Sequence, residues 1–254
     1  FSSAMLLFVL LFLFLPLGVI AVFSFNESKA IVWSRFSVKW YCELFMESEK
    51  LWQSFGHSLL IAFVSAFISV IIGVCAGLGV HRYRFRGRSY VQVVSILPMV
   101  LPEVIVGISM LIFFSGIKVP LSLFTIFAAH TTFCLPFVFL MVNARLDEFD
   151  YSIVEAAHDL GASEFETMTK VVIPAIMPGI LSGFMMAVTM SLEDFVITFF
   201  VAGPGSTTLP LYVYSMIRFG VSPVINSLSF VMIAFTCLFA FTLRKALKGI
   251  AASH

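Results

Sequence analysis

Three carboxylates stand where carboxylates are expensive. Glu103, Glu193 and Asp194 each lie inside a long apolar run, and an ionisable side chain within a membrane-length segment is costly and by default functional. Lys and Arg occur only near the ends of those runs, so few cationic partners exist within the chain. Acids without bases suit the binding of a cation. The plainer alternative is pairing with Ser, Asn or a base from another subunit. A second cluster, Glu155-Ala156-Ala157-His158-Asp159-Leu160-Gly161 with Val171-Val172-Ile173-Pro174 after it, is polar, acidic and helix-forming. It suits contact with a protein. Catalytic chemistry finds no support, because the sequence contains no H-E-x-x-H, no nucleophile elbow and no clustered His or Asp ligand set. Cys42, Cys75, Cys134 and Cys237 lack metal-type spacing and read as free packing residues. His57, His130 and His158 also lack such spacing and read as satisfying local hydrogen bonds. No catalytic or metal site is expected.

The elements that must carry these groups follow from composition. The chain has 254 residues, 60% of them hydrophobic and only 11% charged, against about 25% charged in a soluble domain. Thirty Phe and twelve Met are spread along it, as in a polytopic membrane protein. The net charge of +1 gives no bulk electrostatic case for nucleic acid. A helix needs about 20 apolar residues to cross the hydrocarbon core. Six runs qualify, at 4–23, 57–80, 91–115, 121–143, 175–201 and 225–246. The first is too long for a signal peptide and no small-residue cleavage site follows it. The chain opens on Phe1 without Met, so a short basic N-terminus is expected to precede it.

Orientation follows from Lys and Arg. The second loop holds Arg82, Arg84, Arg86 and Arg88, and the C-terminal tail holds Arg244, Lys245 and Lys248. The third loop has only Lys118 and the fifth only Arg218, while the first is balanced. The second and fourth loops and both termini are therefore expected in the cytoplasm. Anionic headgroups explain the alternation of Arg with Tyr83 and Phe85.

Helix geometry places the acids. At about 1.5 Å per residue, Glu103 falls about 16 Å along its span from Gln92, and Asp194 about 24 Å from Pro178. Pro98 and Pro102 bracket the approach to Glu103 and predict a kink there. Adjacent helical residues diverge by about 100°, so Glu193 and Asp194 do not both face one pore. Asp194 is taken as the cation-facing member. Aromatic faces that attract cations by about 0.5–2 kcal/mol are offered by Trp33, Trp40, Tyr212 and Tyr214. Interfacial anchoring is their plainer reading. The expected substrate path comprises Glu103, Glu193, Asp194, Trp40 and Tyr214.

The loop at 144–174 reads as a short amphipathic helix. Ile153, Val154, Ala157 and Leu160 fall on one apolar stripe, with Glu155, Asp159 and Glu166 pointing elsewhere. Gly161 suits the left-handed residue that ends a helix. Pro174 and Pro178 suit the start of the fifth span, where a missing amide costs least. Surface-seeking helices are basic, so an acidic one is read as facing a protein.

The motif Glu155-Ala156-Ala157, three residues, Gly161, nine residues, Val171, one residue, Ile173-Pro174 resembles the loop of type I ABC-importer permeases. There the pattern is E-A-A, x3, G, x9, I, x, L-P, so Val and Ile here are mild departures. The resemblance implies a coupling helix that docks on a cytoplasmic ATPase. Ala156 and Ala157 would allow close packing, Glu155 a polar contact and Gly161 the turn, with Pro174 closing the motif. It further implies a second homologous permease, two ATPase subunits carrying ATP-Mg, and a periplasmic solute-binding protein received by 24–54 and 203–224. The chain itself has no G-x4-G-K-[ST], and Leu181-Ser182-Gly183 lies inside a span. Energy must therefore come from another chain or from an ion gradient.

Four further stretches resemble spermidine/putrescine permeases of this family, the C-type subunit in particular: 82–88, 130–137, 160–165 and 214–223. The expected molecule is an all-α polytopic membrane protein of the bacterial inner membrane. It has one domain over 1–254, six transmembrane helices and a cytoplasmic coupling helix between the fourth and fifth spans. It needs no cofactor of its own. A permease for another small solute is the nearest alternative. An ion-coupled secondary transporter is the next, although no inverted repeat is visible.

Overall fold

Backbone groups in a bilayer must bond within their own segment, and the apolar runs here all become helix. The computed structural model describes residues 2–29, 32–219 and 223–251, and side-chain environments over 5–29, 32–218, 223–238 and 241. Gly220, Val221 and Ser222 lie outside it, as do the side chains of Arg244, Lys245 and Lys248. Helices α1 (Ser2–Phe23), α2 (Lys39–Met46) and α3 (Glu49–Arg82) open the chain. Then come α4 (Arg88–Val100), α5 (Glu103–Gly116), α6 (Leu123–Asp147), α7 (Ser152–Asp159) and α8 (Glu164–Thr167). A π-helical turn (Met168–Val172) leads into α9 (Ile173–Glu193), followed by α10 (Val196–Val201), α11 (Leu209–Phe219) and α12 (Val224–Ala251). The only bridge outside helices among the described residues joins Asn26 to Phe36.

Four uninterrupted helical stretches are long and apolar enough to cross a membrane: Met5–Phe23, Glu49–Arg82, Leu123–Asp147 and Glu164–Glu193. The third apolar run is a pair, α4 and α5, bent by 110°, where the sequence predicts a kink. Leu101 precedes Pro102 and is forced to extended backbone, φ −80° and ψ 141°. That ends α4, and α5 starts afresh with Pro102 as its cap residue. The fifth run also breaks. Asp194 leaves the helix at φ −64° and ψ 124°, which separates α9 from α10. Pro178 lies inside α9, not at its start, while Pro174 occupies the first turn as expected. The helix containing it starts earlier than 175, because α8 and the π turn run continuously into α9. Val224–Leu238, inside the sixth run, is a shorter apolar helix.

The residues divide into two compact units, 1–52 with 213–254, and 53–212. In the first, α12 packs on α1 and α2. Ser227 donates to the Ser24 carbonyl at 3.2 Å. Phe25 stacks on Phe36, lies tilted against Tyr41 and meets Phe230 edge-on. In the second, α6 is the central helix, packed chiefly on α9 and also on α4 and α10. Its buried face, including Ile126, Ala129, Phe133, Val138 and Val142, joins Ile176, Ala187 and Ile197 in one apolar core. Small residues permit close helix approach where lipid supplies no hydrophobic drive. A Cβ on Gly107 would come 2.7 Å from Phe200 Cδ2, so this glycine seats α5 against α10.

Candidate functional site: an acidic cleft at two helix breaks

The two breaks meet. Glu103 opens α5, Glu193 closes α9 and Asp194 is the link to α10. Together with Phe133, Met190, Phe195 and Val196 they line an open cleft of about 290 Å³. Every ionisable group on its lining is a carboxylate. Glu103 and Glu193 are exposed, whereas Asp194 is buried. Of the two neighbours it is Glu193, and not Asp194, whose side chain is open to solvent there. Because α9 ends between them, the two neighbours occupy different environments without the geometry of a continuous helix.

Asp194 is occupied by the chain itself. Its side chain is 2% exposed. Oδ1 accepts from the Ile197 amide at 3.2 Å, and Oδ2 accepts from the Thr198 amide at 2.9 Å and the Thr198 hydroxyl at 2.9 Å. Asp is a favoured cap residue for this reason. The imidazole of His130 completes the set with Nε2 at 3.1 Å from Oδ2 and 2.9 Å from Thr198 Oγ1. The carboxylate has no proton to give, so the imidazole Nε2–H donates. Its Nδ1 bonds the Ser191 hydroxyl at 2.7 Å, which receives Ser65 Oγ at 3.4 Å. A buried charge must be paired and hydrogen-bonded to be tolerated, and this one is. The bonds of His130 are not local: they reach from α6 to both sides of the α9–α10 break.

The loop at 144–174 presents a second surface. Asp150 Oδ1 accepts from the Ser152 amide at 2.9 Å and starts α7; that bond holds its carboxyl below the usual range. Of the predicted stripe, Val154 is buried and Ala157 half-buried. Ile153 and Leu160 are exposed, because α7 is short and only one turn of it reaches the core. Leu160 is 89% exposed and Phe165 76%. Glu155, Ala156 and Pro174 are exposed too. Gly161 has φ +85°. Its amide bonds the His158 carbonyl at 2.9 Å and the Ala162 amide bonds the Ala157 carbonyl at 3.0 Å, closing a Schellman turn.

Ser163 and Glu166 then cap α8 reciprocally. Glu166 lies before the chain turns apolar at Val171. It also accepts from Lys170 Nζ at 2.8 Å. Arg82 at the end of α3 pairs with Glu164 of α8, so one of the four arginines of the second loop is bound to the fourth.

Trp40 and Tyr214 belong to the other unit. Trp40 is buried, its Nε1 donates to the Asn26 carbonyl at 2.7 Å, and the ammonium groups of Lys39 and Lys29 lie 5.1 and 5.8 Å from its ring. The cations beside this ring are thus the chain's own. Tyr214, on α11, is 40% exposed. Among the described residues no group of three or more His, Cys, Asp or Glu side chains could hold a metal.

The profile of the binding-protein-dependent transport system inner membrane component family matches residues 69–250. The chain belongs to this family. It is 39% identical over 223 residues to the spermidine/putrescine transport system permease protein PotC of Escherichia coli strain K12, covering 87% of this chain and 84% of the relative. It is 40% identical over 226 residues to the putrescine transport system permease protein PotI of the same organism, covering 86% and 80%. A solved bacterial ABC transporter involved in the import of the acidic polysaccharide alginate superposes with TM-score 0.74 at 14% identity, over 96% of this chain and 94% of that one. This likeness shows the fold.

As a family permease the chain is a multi-pass inner-membrane transport component. Sequence reasoning found all three carboxylates and missed what holds one of them. Ser191, Asp194 and Thr198 lie at i, i+3 and i+7. That spacing is a helical face and was the available signal for a polar partner on another helix.

Proposed function

We propose that the chain is the membrane-spanning permease subunit of an ABC importer for polyamines. It acts as one permease domain, crosses the membrane six times and has both termini in the cytoplasm. The observation that carries the substrate class is the cleft at the two helix breaks, whose ionisable lining is wholly acidic and includes two exposed carboxylates. Polyamines are multiply charged cations on aliphatic stems, and Phe133 and Met190 offer apolar contact beside the acids. The names of the relatives at 39% and 40% identity point to the same solutes. In this reading Glu103 and Glu193 attract the cation, and Asp194 shapes the site without touching it.

The chain carries no nucleotide motif of its own. Two copies of a separate ATPase therefore bind and hydrolyse ATP-Mg, and a second, homologous permease forms the other wall of the route. Solute arrives on a periplasmic binding protein. The exposed segment from Glu155 to Phe165 transmits ATPase closure: α7 docks, the Gly161 turn fixes its angle, and α8 passes the motion without interruption through Pro174 into α9. Glu155, Ala156 and Ala157 lie on the docking helix.

The test is uptake of labelled spermidine and putrescine into proteoliposomes holding the assembled transporter. Glu103→Gln with Glu193→Gln is expected to raise the KM for polyamine about a hundredfold or more while ATPase assembly persists, each lost charge contact being worth about 1.5–3 kcal/mol. Unchanged uptake by the double variant overturns the carboxylate route. Uptake that follows a proton or sodium gradient without ATP hydrolysis overturns the importer reading.

A further inference from the structure

We propose that His130 is a positioning residue for the cation route: it pins the α9–α10 break onto α6 and so fixes Glu193 in the cleft. Three observations carry this. The imidazole is 1% exposed and bonds the last turn of α9 through Ser191, the link through Asp194 and the first turn of α10 through Thr198. Asp194 at the same time caps α10 through the Ile197 and Thr198 amides. Glu193, the residue before it in the chain, is exposed in the cleft. With helical hydrogen bonding interrupted at residue 194, the direction of Glu193 depends on where α9 ends. His130 holds that end from a third helix. Phe133, one turn further along α6, lines the same cleft, so α6 positions one wall directly and the other through His130.

The roles of the two neighbouring acids then separate. Glu193 acts by charge and Asp194 by hydrogen-bond acceptance. An amide at 194 with its oxygen at the Oδ2 position keeps the acceptor for Thr198 and His130 and gives up only the bond from the Ile197 amide, whereas an amide at 193 removes the charge the solute meets.

This inference rests on the proposed cation route, and its test has one arm that does not. In the assembled transporter with the four native cysteines replaced, Glu193→Cys is labelled with a cationic methanethiosulfonate reagent. His130→Ala is expected to change the labelling rate about fivefold or more. His130→Gln, whose amide reaches the Nε2 position, is expected to restore it. Should His130→Ala fail to assemble, His130→Asn carries the comparison, since it keeps the Ser191 bond and loses the donor to Asp194 and Thr198. Equal rates in all assembled variants overturn the proposal.

The second arm measures spermidine uptake with Glu193 present. His130→Ala is expected to raise KM about tenfold, as when a charge-assisted hydrogen bond is lost. Asp194→Asn is expected to shift KM less than about twofold. A KM loss for Asp194→Asn as large as for Glu193→Gln makes Asp194 a direct ligand and overturns the division of roles. Absence of polyamine uptake by the unsubstituted transporter, with the labelling differences intact, sinks the substrate reading alone.

Discussion

Glu193 and Asp194 differ by one methylene and one position, yet solvent reaches the first and not the second. The cost of stranding a charge follows that difference. Asp194→Ala removes the acceptor for two amides, a hydroxyl and an imidazole inside the core, and breaking such a buried set costs about 3–5 kcal/mol. Glu193→Gln touches an exposed group and should change stability by no more than about 0.5 kcal/mol. Thermal unfolding of the purified permease complex in detergent measures both. Comparable losses for the two variants would contradict the assignment of Asp194 to the core.

Among elements, the segment from α7 to α9 is the one proposed above as the lever. Its two short helices are joined by residues 160–163, among which Gly161 has φ +85°, a conformation that costs a non-glycine residue about 1–2 kcal/mol. Nothing lies within 4 Å of a Cβ built on Gly161, so any effect of substitution is backbone strain and not a clash. Gly161→Ala is therefore expected to assemble and to transport with reduced efficiency. Gly161→Pro, whose ring holds φ near about −65°, is expected to lose the turn and with it coupled uptake. The ratio of solute moved to ATP hydrolysed in proteoliposomes is the readout. A ratio unchanged in Gly161→Pro would remove this loop as the lever. The exposed Leu160 and Phe165 flank the turn, and apolar side chains held in water beside a fixed turn fit a partner's groove better than a lipid surface.

At the scale of the whole molecule the prediction concerns sidedness. In a cysteine-free background, Asp159→Cys on α7 should react with a membrane-impermeant maleimide only from the cytoplasmic side, and Ser34→Cys only from the opposite side. Both positions are exposed. Labelling of the two from one side would refute the orientation taken from the arginines of the second loop.

The amino-acid sequence by itself determined the helical class, the apolar runs, the turn at Gly161 and the identity of every carboxylate in the cleft. These follow from apolar run length, charge placement and local turn chemistry, all of which act over a few residues. Gly161 shows it well: the need for a left-handed residue was legible from its place after the helix. The extent of the breaks at Leu101 and Asp194, and the burial of Asp194 beside an exposed Glu193, were decided only by tertiary structure. A proline announces a disturbance but not its angle. Whether an acid faces the cleft depends on what another helix offers it. Here His130, 64 positions from Asp194 in the chain, captures one acid and leaves its neighbour to the cleft.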